Sequence, residues 1–161
     1  MNKILFILLA CMVVSCSTSK NISPDKINAT IDAWHQAAAQ ADFKTYFSLM
    51  TADAVFIGTD ATENWNKKEF MAYSKPHFDK GKAWSFTSIE RHIYQSNGVV
   101  YFDELLKTQM GLCRGSGVLK PVDGNYKIAH YVLSIAIPNE DVPEVTAAKK
   151  SWETEFLKNF K

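Results

Sequence analysis

The chain has 161 residues, a formal net charge of +1 and 47% hydrophobic residues, which fits one ordinary globular domain and excludes a disordered or fibrous chain. Its 18 Lys and Arg are balanced by 17 Asp and Glu and form no basic run, so the electrostatic footprint of a nucleic-acid binder is missing. At the N-terminus, MNKILFILLACMVVSC carries a basic start at Lys3, an apolar run over residues 4–14 and small residues before Cys16. This is the grammar of a secretory signal. Val13-Val14-Ser15-Cys16 resembles a bacterial lipobox, and Leu8-Leu9-Ala10-Cys11 fits the same pattern with a shorter apolar segment. Residues 1–15 are therefore expected to be a signal peptide, with Cys16 lipidated, residues 16–22 a tether and residues 23–161 the folded domain. The lipid would be the only link to a membrane, and Ser17 suggests the outer membrane of a bacterial cell envelope, facing the periplasm. Cys113 would then be the sole other thiol, so the core alone must stabilise the domain.

Ser23-Pro24-Asp25 predicts a helix start, and Ile27, Ile31, Trp34 and Ala38 fall on one apolar face. A short second helix after Asp42 carries Phe43, Phe47 and Met50, and residues 54–57 read as a brief strand. Following the loop GTDATENW, Asn66 and Glu69 form a capping-box pattern for a third helix, which Pro76 should kink or end. From Trp84 the period changes to that of strands, at about 84–95, 99–108, 112–120 and 126–137. Asn97-Gly98 and Asp123-Gly124 predict two-residue hairpin turns, while Gln109-Met110-Gly111 predicts a three-residue loop. A final amphipathic helix over 142–160 places Val145, Trp152, Phe156 and Phe160 on one stripe. Helices followed by an antiparallel meander predict an α+β fold whose curved sheet encloses a pocket against its helices.

Those turns predict a cross-strand row of His92, Asp103, Gly117 and His130 on the concave face, shared with Cys113, Gly115, Leu119, Ile128 and Val132. Gly117 would leave a hole between Asp103 and His130, about 10 Å apart at ordinary strand spacing. Tyr94 and Tyr101 would pair in the next row and offer hydroxyls to the cavity. His92 and Asp103 have the chemistry of a general acid–base pair, the carboxylate orienting the imidazole, or of a plain cross-strand hydrogen bond. Trp65 either roofs the pocket or packs within its loop. Glu104 is expected on the outer face between Arg91 and Arg114, as an ion cluster within an apolar dimer interface that includes Phe102, Leu106, Val118, Tyr131 and Leu133. The row's spacing does not suit a metal ion, and no phosphate loop, nucleophile elbow or other cofactor motif is present. Cys113 reads as a buried, inert thiol.

The segments DAVFIGTDATENW (53–65), VVYFDELL (99–106) and CRGSGVLKPVDGNYKIAHYVLSIAIPNE (113–140), with Ile31-Asp32-Ala33-Trp34-His35, resemble the SnoaL-like branch of the nuclear transport factor 2-like superfamily. The resemblance covers nearly all of the expected mature chain. It implies a cone-shaped α+β fold, with three N-terminal helices packed on a curved antiparallel sheet and a C-terminal helix following. It also implies homodimers through the outer sheet face. His130 and Tyr101 depart from the branch pattern, which has an amide side chain and a Trp there. Members include isomerases, cyclases, epoxide hydrolases, dehydratases and non-catalytic binders, so three functions stay open. One is binding of a small, mostly apolar molecule in the cone. Another is an enzyme using a His–Asp pair for isomerisation, dehydration or hydrolysis. The last is a non-catalytic dimeric interaction module.

Overall fold

A computed structural model describes residues 23–96 and 98–160. The expected signal segment, Cys16, its alternative Cys11, the tether and Asn97 lie outside the described residues. Helix α1 spans Pro24–Ala39, with proline in its first turn and Asp25 beside the positive end of the helix dipole. Its apolar face buries Ile27, Ile31, Trp34 and Ala38 as the spacing predicts, and His35 is buried with them. Helix α2 (Phe43–Ser48) is capped by Asp42, whose carboxylate accepts a hydrogen bond from the Thr45 amide at 2.9 Å. Strand β1 (Met50–Ile57) is longer than expected and forms a hairpin with β2 (Asn64–Asn66), within what reads in sequence as a loop.

Helix α3 (Lys67–Asp79) starts on the predicted capping box: Asn66 accepts from the Glu69 amide, and Glu69 accepts from the Asn66 amide. It continues past Pro76 to Asp79 rather than ending at the proline, and its last turn buries Phe78 among Phe43, Tyr46 and Trp84. The meander follows as β3 (Phe86–Ser96), β4 (Val99–Thr108), β5 (Gly111–Val122) and β6 (Asn125–Ile135). The sheet order is β2-β1-β6-β5-β4-β3. All pairings are antiparallel except β1 with β6, which is parallel. The architecture is α+β, a curved six-stranded sheet with the N-terminal helices on its inner face. Helix α4 (Val142–Phe156) and a 3₁₀ turn (Leu157–Phe160) close the chain; α4 has no buried residue, and Trp152, Leu157 and Phe160 are exposed.

Two one-residue differences change the register. Thr108 pairs with Gly111 rather than Leu112, so the β4–β5 turn has two central residues and Asp103 meets Ser116 instead of Gly117. In β6, Val118 pairs with His130 while Leu119 pairs with Ile128, so Ala129 is the extra residue of a bulge and Gly117 meets Tyr131 rather than His130. The two other turns behave as predicted: Ser96 pairs with Val99, and Val122 with Asn125. A slip of one residue exchanges the faces of a strand. Cys113, Gly115, Leu119 and Ile128 do face the core, but their β4 companions are Phe102, Glu104 and Leu106 rather than Asp103.

Candidate functional site

The expected row divides accordingly. His92 and Asp103 do pair across β3 and β4, Nδ1 to Oδ1 at 3.2 Å, but on the outer face, where their side chains are 50% and 33% exposed. His92 Nε2 also lies 3.2 Å from Glu90. Tyr94 and Tyr101 stack at 5.1 Å as a cross-strand pair, and both are exposed rather than lining a cavity. Gly117 leaves no hole, because a Cβ there would lie 2.7 Å from the Phe102 ring. His130 is half-buried and sits beside Val118 and Val55, outside any row with Asp103. Val132 pairs with Ser116 on the outer face and Arg114 is exposed there.

The inner position belongs to Glu104, whose side chain is fully buried. Its Oε1 accepts from the Tyr131 hydroxyl at 2.8 Å and lies 2.8 Å from Nε2 of His35 on α1. Its Oε2 accepts from Arg91 Nε at 2.9 Å, and Arg91 Nη1 reaches Asp32 at 2.8 Å and Asn28 at 3.1 Å. Both carboxylate oxygens thus have partners, which is what allows a carboxylate to lie in the core. Gly115 is the reason it fits: a Cβ there would stand 2.1 Å from the Tyr131 hydroxyl and 3.1 Å from Glu104 Cγ. Burial alone pushes the Glu104 carboxyl pKa up, but the hydrogen bond and charge of His35, the charge of Arg91 and the Tyr131 hydroxyl outweigh it and hold the pKa below the ordinary range. The Tyr131 hydroxyl is pushed well up, by burial and then by the Glu104 charge. His35 Nδ1 is buried without a partner, and His35 lines a groove between α1 and the start of β3 together with Asp32, Phe86 and Arg91.

A second hollow opens at the end of the sheet where β1 and β6 finish. It is a cleft of about 140 Å³ between the sheet, the β1–β2 loop, α3 and the β4–β5 turn. Phe56, Trp65, Phe70, Tyr73, Trp84 and Phe86 supply its walls, with Leu133 and Met110. The rings brace one another: Phe56 stacks on Phe70 at 4.0 Å and Trp65 on Tyr73 at 4.3 Å. Of the residues picked out by sequence as pocket-lining, Trp65 alone is in this lining. Among the described residues, no group of three or more His, Cys, Asp or Glu side chains is arranged to hold a metal ion.

A family model described as a SnoaL-like domain matches residues 27–138. The chain belongs to the SnoaL-like domain family. The matched span of this SnoaL-like chain includes the buried cluster and the cleft and stops before α4. An NTF2-like protein from Cytophaga hutchinsonii superposes with a TM-score of 0.61 at 19% identity, covering 72% of this chain and 100% of that one. One of unknown function from Pseudomonas putida gives 0.61 at 14%, covering 72% and 88%. A Streptomyces avermitilis member of the NTF2-like family, proposed to be a dehydratase, gives 0.61 at 14%, covering 71% and 96%. At such identities the likeness establishes the shared fold. No curated protein matches the sequence. The SnoaL-like fold suggests a ligand-binding or enzymatic domain.

Proposed function

We propose that this SnoaL-like domain binds a small, mostly apolar molecule in the aromatic cleft at the end of the sheet. One observation carries the reading: Phe56, Trp65, Phe70, Tyr73, Trp84 and Phe86 converge on a single hollow from β1, β2, α3, β3 and the segment before β3. Aromatic walls bury much apolar area at little side-chain entropy cost. An engineered apolar cavity of roughly 150 Å³ holds one benzene, so the cleft suits one ring-sized group with the rest of the ligand at its mouth. Thr59 is exposed at the rim, so Thr59→Trp should block entry without disturbing the core. Displacement of a fluorescent apolar probe tests this. The variant is expected to bind the probe at least several-fold more weakly than the parent, and equal binding would refute the cleft as the site. Native mass spectrometry of the purified domain would identify a carried ligand.

A second reading, acid–base chemistry, is supported by the unpartnered Nδ1 of buried His35, whose other nitrogen faces Glu104. His92 and Asp103, the pair expected to do such chemistry, face away from both hollows. The interaction-module reading draws support from the exposed Tyr94, Tyr101, Leu112 and Ile135, through which a homodimer would form. We further propose that Cys16 is lipidated and tethers the domain to a cell-envelope membrane, probing the periplasm from the outer membrane. Among the described residues no helix is long and apolar enough to cross a membrane. Cys16→Ser should release the protein from the membrane fraction; continued retention would refute Cys16 as the anchor.

A further inference from the structure

The aromatic cleft carries a charge signature that narrows its ligand, an inference that rests on the binding reading above. Among the described residues that line it, Glu63 is the one whose side chain is charged at neutral pH; no Lys, Arg or His is present. The carboxylate is held at this position by the local backbone. Glu63 accepts a hydrogen bond from the Asp60 amide at 3.2 Å, and its carbonyl accepts from the Gly58 amide at 2.9 Å. Its side chain folds across Gly58, where a Cβ would lie 2.1 Å from Oε2. Glycine therefore leaves the space that the carboxylate occupies. Tyr73 lines the same cleft, and its hydroxyl is pushed up by burial and then by the Glu63 charge.

We infer that the cleft selects organic cations, a tertiary or quaternary ammonium group seated among the rings with Glu63 beside it. Any occupant strips water from a carboxylate that is already half-buried, and a neutral molecule gives nothing back for that loss. An anion adds repulsion. A diffuse cation returns the lost solvation through the carboxylate and gains further from the negative faces of aromatic rings. Its weakly hydrated methyl groups suit walls that would reject a compact, strongly hydrated ion.

Choline and its uncharged carbon isostere, 3,3-dimethylbutan-1-ol, separate charge from shape. Titrations followed by tryptophan fluorescence and by NMR should find choline bound about tenfold more tightly than the isostere. Glu63→Gln keeps the acceptor for the Asp60 amide and should remove most of that preference, by weakening choline and relieving the desolvation cost that the isostere meets. Trp65→Leu keeps an apolar wall and should also lower the preference, which guards against a local folding defect in the first variant. If the isostere binds as well as choline, the cation inference fails and the apolar-cleft reading stands. If neither binds while Thr59→Trp leaves apolar-probe binding unchanged, both fail. A preference that survives Glu63→Gln and Trp65→Leu also overturns the inference.

Discussion

Two histidine–carboxylate pairs sit at neighbouring positions of β4 and meet opposite environments. His35 and Glu104 are joined at 2.8 Å inside the core, with side chains 5% and 0% exposed. His92 and Asp103 are joined at 3.2 Å on the outer face, half and one-third exposed. The residue types are nearly the same, but the energetics differ. In the core, each missing partner leaves a charge without solvent, so the cluster tolerates little change. On the surface, water replaces whichever partner is lost, so the pair contributes little to stability. Proximity of an acid to a histidine therefore says less about its role than what else surrounds the two.

The sharpest way to break the comparison is Glu104→Gln, which leaves the Arg91 guanidinium with one carboxylate instead of two. A loss of about 3 to 5 kcal/mol in urea unfolding is expected, the range for removing one partner of a buried ion pair. The acid limb of the stability profile supplies a second readout. Because the folded-state pKa of Glu104 is depressed, its contribution is present above the ordinary carboxylate range and is lost as pH falls through the folded value. The Glu104→Gln variant should lose that part of the acid dependence; an unchanged slope would mean that the carboxylate is not held as described.

Gly115→Ala should come next, at about 1 to 3 kcal/mol, because the added methyl group competes with the Tyr131 hydroxyl for one space. Combining it with Tyr131→Phe should cost less than the sum of the two single changes. Additive losses in that cycle would show that the clash is relieved elsewhere. Asp103→Asn is expected to have the smallest effect, below about 1 kcal/mol. A loss as large as that of Glu104→Gln would collapse the distinction between the two faces.

Much of the fold is legible in the sequence. The α1 stripe, the Asn66–Glu69 capping box, the pairing of Ser96 with Val99 and the turn at Asp123-Gly124 rest on local chemistry, which the chain expresses without help from distant residues. The candidate site was not legible for a specific reason. Which face of β4 turns inward was inferred by counting across two hairpins. The shorter turn at Gln109-Met110 and the bulge at Ala129 each shift that register by one residue. Ile128-Ala129-His130 carries no side-chain signature of a bulge, although the shift brings Tyr131 and Leu133 to the buried face. The Glu104–Arg91 pairing is legible from the Asn97-Gly98 turn, but Gly115 comes opposite Glu104 only once the β4–β5 turn has two central residues. The cleft was harder still, because its walls are gathered from residues 56 to 133 and only Trp65 stood out along the chain. Pro76 does not end α3 at once, because the helix runs on to Asp79 and buries Phe78.

The contact between His35 and Glu104 joins positions 69 residues apart, and the parallel pairing of β1 with β6 also links distant parts of the chain. The meander from β3 to β6 closes through short turns, and short closures are entropically cheap. Its formation can therefore precede the docking of α1, leaving Glu104 hydrated until late in folding. The carboxylate would then act as a latch rather than a nucleus. Charge lost at position 104 should accelerate unfolding while scarcely slowing refolding, so the cluster would govern how long a molecule stays folded more than how quickly it gets there.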